Sequence, residues 1–185
     1  MVTITATTSF VTDTEAAKFV GCSAEQQQKV DAAATNAQKY ATAASKYLNG
    51  DSSATPRYTT WFGTYDADRH NIVKEHFSKI SGNKFAEYTY DCITCTHTDV
   101  YAYVYPTQYG KMYLCPVFWR APATGTDSQA GTIVAQASLF AANGGTHKYV
   151  YGQPACRRLA NSSPVQTVMN ADSYQYFAEN NPPLA

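Results

Sequence analysis

The sequence predicts an α+β fold, and three observations carry that reading. Residues 23–48 form an Ala-, Gln- and Lys-rich run without Gly or Pro, the composition of a long helix. Residues 85–118 turn to strand patterning, with Tyr101, Tyr103 and Tyr105 on one side and Val100, Ala102 and Val104 on the other. Helical patterning then returns over residues 127–142. Helices and strands thus come in blocks, the order of an α+β chain. At 185 residues the length is that of one domain, with enough chain to bury a core.

Taken in order, Met1–Val20 is Thr-rich and alternates with Val, Ile and Phe. It could add a strand, cover a cleft or form an unstructured arm. Ser23 followed by Gln26 forms a capping box, so the long helix starts there and stops at Asn49-Gly50. Residues 51–56 read as a loop. Ile72, Val73, His76, Phe77 and Ile80 fall at helical spacing and predict a second helix over 66–80, stopped by Ser81-Gly82-Asn83. Tyr109-Gly110 marks a hairpin turn before Lys111–Cys115. The third helix, 127–142, ends at Asn143-Gly144-Gly145. A further helix is expected over 149–159, kinked or shortened by Pro154. Residues 172–185 read as a polar tail ending in two prolines. There is no repeat, low-complexity tract or interdomain linker.

Formal net charge is +0, from 14 basic and 14 acidic residues, and there is no long basic patch. Nucleic acid and anionic membranes are therefore not expected as partners, and no apolar run approaches a membrane span. The chain carries 15 Tyr, 8 Phe and 2 Trp; most of the Tyr are expected to pack on strands. Of five cysteines, Cys92 and Cys95 make a C-x-x-C with no second such pair, which argues against a zinc cluster. His70 and His76, six apart, do not share a helix face, and with His97 and His147 they read mostly as surface residues. Asn161-Ser162-Ser163 is a short glycosylation sequon.

The segment from Gly131 to Gly152, GTIVAQASLFAANGGTHKYVYG, resembles the active-site segment of the fungal peptidyl-Lys metalloendopeptidases, which are deuterolysin-like zinc proteases. The likeness extends through TPRYTTWFG (55–63), AYVYP (102–106), TGTDSQAGT (124–132), VMNAD (168–172) and Glu179-Asn180-Asn181-Pro182. It implies a zincin-like fold with a helical core and a small antiparallel sheet flanking a cleft. It also implies an extension over 1–20 and a domain over 21–185. By resemblance, Cys22 pairs with Cys92 and Cys95 with Cys115, leaving Cys156 as a buried thiol. The family's cysteine pattern and secreted habit imply an oxidising compartment, although Met1–Phe10 does not read as a signal peptide.

The family's helix reads H-E-x-x-H, and its following loop G-G-T-x-D-x-x-Y-G. Two His at i and i+4 on one helix face grip zinc while the Glu activates bound water. Here the corresponding positions are Ala135, Gln136, Leu139 and Lys148. Ala and Leu offer no lone pair, Lys brings a positive charge, and Gln cannot take up a proton at neutral pH. Tyr151 matches the Tyr that steadies the tetrahedral intermediate. Of the two acidic residues that select lysine in the family's late loop, one matches Asp172 and the other is Gln175; Asp172 could instead cap a helix.

The sequence alone therefore leads to three functional expectations. The first is a non-catalytic protein without zinc that holds a small aromatic or conjugated molecule, such as a pigment, in a cleft lined by Ala135, Gln136, Leu139, Lys148, Tyr151, Asp172 and Gln175. Collapse of that cleft into ordinary core is the competing structural outcome. The second is a pseudoprotease that binds peptide, protein or glycan, as a decoy, defence protein or lectin. The third is an enzyme with new chemistry at Lys148 or Tyr151.

Overall fold

The computed structural model describes residues 16–50 and 54–185. Its framework is a long helix, α1 (Ala24–Asn49), and a second central helix, α4 (Gln129–Leu139). α1 starts at the Ser23 capping box: Gln26 N donates to Ser23 Oγ (3.2 Å) and Ser23 N to Gln26 Oε1 (2.9 Å). Its buried stripe is Val30, Ala33, Ala34, Ala37, Ala41, Ala44 and Leu48. Mostly Ala, that stripe lets a neighbouring helix come close, and α4 packs there. Every residue of α4 is buried.

α2 (Pro56–Phe62) and α3 (Ala67–Ser81) follow α1, and α5 (Gln153–Ser162), α6 (Pro164–Thr167) and α7 (Ala171–Glu179) close the helical layer. α7 packs against α4 as well, and touches α1. The rings of Phe62, Phe77, Tyr174 and Phe177 meet among α2, α3 and α7, with Phe77 5.2 Å from Tyr174 and 5.3 Å from Phe177. Such pairs add to the burial of the rings themselves.

Among the described residues the sheet has four strands in the order β1 (Lys18–Val20), β2 (Thr89–Asp91), β4 (Lys111–Leu114), β3 (Ala102–Tyr103). β1 pairs β2 in parallel with Phe19 opposite Tyr90, and β2 pairs β4 in parallel with Tyr90 opposite Met112. Among the described residues only β3 and β4 are antiparallel, with Tyr103 opposite Tyr113. Cys22 is bonded to Cys92 and Cys95 to Cys115, tying the start of α1 to β2 and the loop after β2 to the end of β4. Cys156 is a buried thiol.

The α+β class is what the chain adopts, with five differences in detail. The sheet is mixed rather than antiparallel, because β1 reaches β2 only after a crossover through three helices, the connection that parallel neighbours require. The long strand pattern of 85–118 yields only β2, β3 and β4, because the segment between β2 and β3 is drawn into the Cys95–Cys115 loop. Residues 172–179 are not part of a polar tail but of α7, which is buried along nearly its whole length; only the last six residues run on as a mostly exposed end. Pro154 does not kink a helix but sits in the first turn of α5, which leaves 149–152 as loop. His70 and His76 are buried as well, and His76 Nδ1 lies 2.6 Å from the Tyr174 hydroxyl. Since that hydroxyl donates to Val168 O (2.7 Å), His76 is the donor and Nδ1 carries the proton. Of the extension, Lys18–Val20 lies in the sheet as β1, and residues 1–15 lie outside the described residues.

Candidate functional site

The site is built around α4. At its N-terminus Ser128 Oγ accepts from Gly131 N (2.9 Å). Glu179, at the end of α7, accepts from Ser128 N and Oγ (both 2.9 Å), from Gln175 Nε2 (3.2 Å) and from Asp127 N (3.2 Å). Asp127 takes a left-handed backbone, φ 54°, and its Oδ1 accepts from the Tyr176 hydroxyl at 2.5 Å. At the far end, Asn143 Nδ2 donates to Ala137 O (2.8 Å).

The chain then doubles back. His147 N donates to Met169 O (2.7 Å) and His147 O accepts from Ala171 N (2.8 Å), a parallel bridge to the entry of α7. Asn170 Oδ1 accepts from Tyr149 N and Val150 N (3.0 and 3.1 Å). Asp172 Oδ2 accepts from Gly152 N (3.1 Å). The backbone on both sides of Lys148 is thereby fixed, and its side chain crosses to the sheet, where Nζ donates to Ala102 O (3.3 Å).

Between α4, β3, this loop and α7 lies a cavity of about 580 Å³. The cleft has therefore not collapsed. Ala135, Gln136, Lys148, Tyr151, Asp172 and Gln175 all line it; Leu139 does not, being one turn further along α4 and nearly buried. Asp172 and Gln175 lie on α7 rather than in a loop, and Asn170, not Asp172, is that helix's N-cap residue. Asp99, Tyr101, Ala102, Thr132, Asp127 and Tyr176 line the cavity too. Asp127 belongs to the resemblant string at 124–132, so that string was a usable signal; Asp99 carried none.

Three carboxylates, Asp99, Asp127 and Asp172, thus share the walls with one ammonium, Lys148. Burial pushes the Lys148 amine below its ordinary value, partly offset by the attraction of Asp172. Burial likewise raises the Asp172 carboxyl, against the pull of the Gly152 amide and of Lys148. Gln136 is 3 % exposed, and its Oε1 has no hydrogen-bond partner.

This architecture is shared with known proteins. The profile of the family described as Lysine-specific metallo-endopeptidase matches residues 47–179. The chain belongs to the lysine-specific metallo-endopeptidase family. It is 53 % identical to the Peptidyl-Lys metalloendopeptidase of Pleurotus ostreatus, over 91 % of this chain and 100 % of that protein. With the Peptidyl-Lys metalloendopeptidase of Grifola frondosa it shares 51 % identity, over 89 % of this chain and 47 % of that one. The chain therefore spans the full length of the first relative and about half of the second. The solved zinc peptidase from Grifola frondosa superposes with a TM-score of 0.87 at 50 % identity, covering 89 % of this chain and 100 % of that structure.

Membership corrects two expectations. A non-catalytic carrier of a pigment, or a passive pseudoprotease, was expected, and the chain was expected not to be an enzyme. Relatives at 53 % and 51 % identity named as metalloendopeptidases overturn both. The cavity gives a physical reason against an anionic pigment in particular: three carboxylates face one ammonium, so an anion would be repelled.

The residues present do not fit the zinc that the family name implies. Ala135 offers no donor atom, and Leu139 neither reaches the cavity nor carries one. Lys148 places an ammonium between the walls, and Asp172 already accepts from Gly152. Among the described residues no group of three or more His, Cys, Asp or Glu could hold a metal. No catalytic step is therefore drawn through a metal.

Proposed function

We propose that this family member acts on polypeptides and that lysine is the side chain it recognises. The observation that carries the reading is the cavity itself, walled by Asp99, Asp127 and Asp172 beside α4, in a chain that matches a Peptidyl-Lys metalloendopeptidase across that protein's whole length. An extended alkylammonium has the shape and charge for such a space: its methylenes pack on Ala135 and the Tyr101 ring, and its cation is attracted by the carboxylates. Endoproteolysis beside lysine is the activity to assay. Tyr151, at the rim and largely exposed, is the polar group available to a peptide backbone passing over the cavity.

The test is direct. A reduced and alkylated protein substrate is incubated with the full chain, and new termini are mapped by mass spectrometry. New termini adjacent to lysine, diminished by Asp172→Asn, are the expected result. Termini no more frequent at lysine than in an enzyme-free control, with and without added zinc, would overturn the reading.

A further inference from the structure

We propose that Lys148 is a tethered competitor within the cavity: its ammonium holds the place that a ligand's alkylammonium would take, so a basic side chain enters only by displacing it. This inference deepens the lysine reading and rests on it.

The geometry begins with the backbone. Lys148 lies between His147, held on both sides by Met169 and Ala171, and Tyr149, held by Asn170. The main chain cannot carry the amine away, but a four-carbon stem can swing. Its present position joins two walls, from the loop to Ala102 O on β3, an edge strand of the sheet. That hydrogen bond, at 3.3 Å to a neutral carbonyl, is long for a charged donor.

The acidic surroundings are incompletely answered. No ion pair within 4.0 Å joins Lys148 to Asp172, yet the two lower and raise each other's proton affinities through space. Asp172 Oδ1 receives no hydrogen bond from the described residues, while Oδ2 is taken by Gly152 N. Gln136, which lines the same cavity, keeps its Oε1 buried and without a partner. A cavity with three carboxylates, one of them with a free Oδ1, and one swinging ammonium accommodates a second primary amine best when the first is absent. Two ammonium groups in one partly desolvated space repel each other.

Isothermal titration of wild type and Lys148→Met with n-butylammonium, with n-butanol as the uncharged control, tests this. Lys148→Arg keeps the cation, and thermal melts confirm that each variant is folded. Lys148→Met should bind n-butylammonium at least tenfold more tightly than wild type, Lys148→Arg should remain as weak as wild type, and adding Asp172→Asn to Lys148→Met should abolish the gain. Equal affinity in wild type and folded Lys148→Met, or no binding by either, would overturn the competitor role. The two proposals fail separately. Lysine-adjacent cleavage with a KM unchanged by Lys148→Met leaves the functional reading standing and removes this one. Tight n-butylammonium binding by Lys148→Met with an inert wild type does the reverse.

Discussion

Glu179 caps the N-terminus of a helix on a different part of the chain: its Oε1 accepts from both the amide and the hydroxyl of Ser128, each at 2.9 Å. The bond joins the end of α7 to the start of α4, the two helices that wall the cavity. A carboxylate is favoured at a helix N-terminus. Glu179 is nonetheless 6 % exposed, and burial raises its carboxyl to about 7 against the opposing pull of Ser128, Gln175 and Asp127. The folded protein therefore holds this proton to higher pH than the unfolded chain, whose carboxyl titrates near 4.5. Its stabilising contribution is complete below about 4.5 and is lost as pH rises through about 7. Urea melts at pH 4.5 and pH 8 should show wild type losing on the order of 3 kcal/mol across that window relative to Glu179→Gln, which cannot titrate. Parallel pH profiles for the two proteins would remove the assignment.

Gly131 is set by the same contact. A Cβ there would lie 2.0 Å from Glu179 Oε1 and 2.6 Å from its carboxyl carbon. The backbone conformation is ordinary helix, so the requirement is space alone. Gly131→Ala would normally gain about 1 kcal/mol of helix propensity. Here it should instead destabilise by about 2 kcal/mol, because α7 must shift or the cap must break. Gly131→Ala combined with Glu179→Ala should recover part of the loss, and thermal melts of the single and double variants provide the cycle. A single variant as stable as wild type would show that α7 yields freely.

The two disulfides should contribute unequally. Cys22–Cys92 spans a sequence separation of 70 and Cys95–Cys115 one of 20. Restricting the unfolded chain is worth about 4 kcal/mol for the longer loop and about 3 kcal/mol for the shorter. The functional consequence runs the other way. Cys95–Cys115 holds the segment that carries Asp99, Tyr101 and Ala102 into the cavity, whereas Cys22–Cys92 lies at the far edge of the sheet. Cys22→Ser/Cys92→Ser should lower the melting temperature more. Cys95→Ser/Cys115→Ser should weaken n-butylammonium binding by Lys148→Met more.

Much of the fold was legible because local signals agreed with tertiary demands: the Ser23 box, the Asn49-Gly50 stop and the apolar spacing of α3 all mark true boundaries. α2 was missed although Thr55 and Pro56 are a start signal, with Thr55 Oγ1 accepting from Tyr58 N at 3.3 Å. Seven residues are too few to show a period. α7 was missed because its polar atoms are spent internally. Ser173 accepts from Asn170, Tyr176 donates to Asp127 and Gln175 to Glu179, so a buried helix carries a surface-like composition. The resemblance pointed to Ala135, Gln136, Lys148, Tyr151, Asp172 and Gln175, six of the fourteen residues that line the cavity. It could not show that Asp99 would join them, since a disulfide loop, not a periodic element, brings it there. Nor could the altered helix positions be weighed correctly without the relatives' identities.

The metal question yields the last prediction. With Ala135, Leu139 and Lys148 at the positions where the resemblance places the family's ligands, the protein as purified should hold less than about 0.1 zinc per chain, and EDTA should shift its melting temperature by less than about 1 °C. The combined variant Ala135→His, Gln136→Glu, Leu139→His, Lys148→Asp restores two imidazoles at i and i+4, with a carboxylate from the loop. It should gain one zinc per chain and, at zinc about 100-fold above its Kd, about 2.7 kcal/mol of stability. The Leu139 position is the critical one, because a His there must turn toward a cavity that Leu139 does not line. One zinc per wild-type chain, weakened by Asp172→Asn, would place a metal in this cavity after all. Zinc that survives Asp172→Asn and Gln136→Ala would instead be bound elsewhere, for example at the exposed His97 or His147.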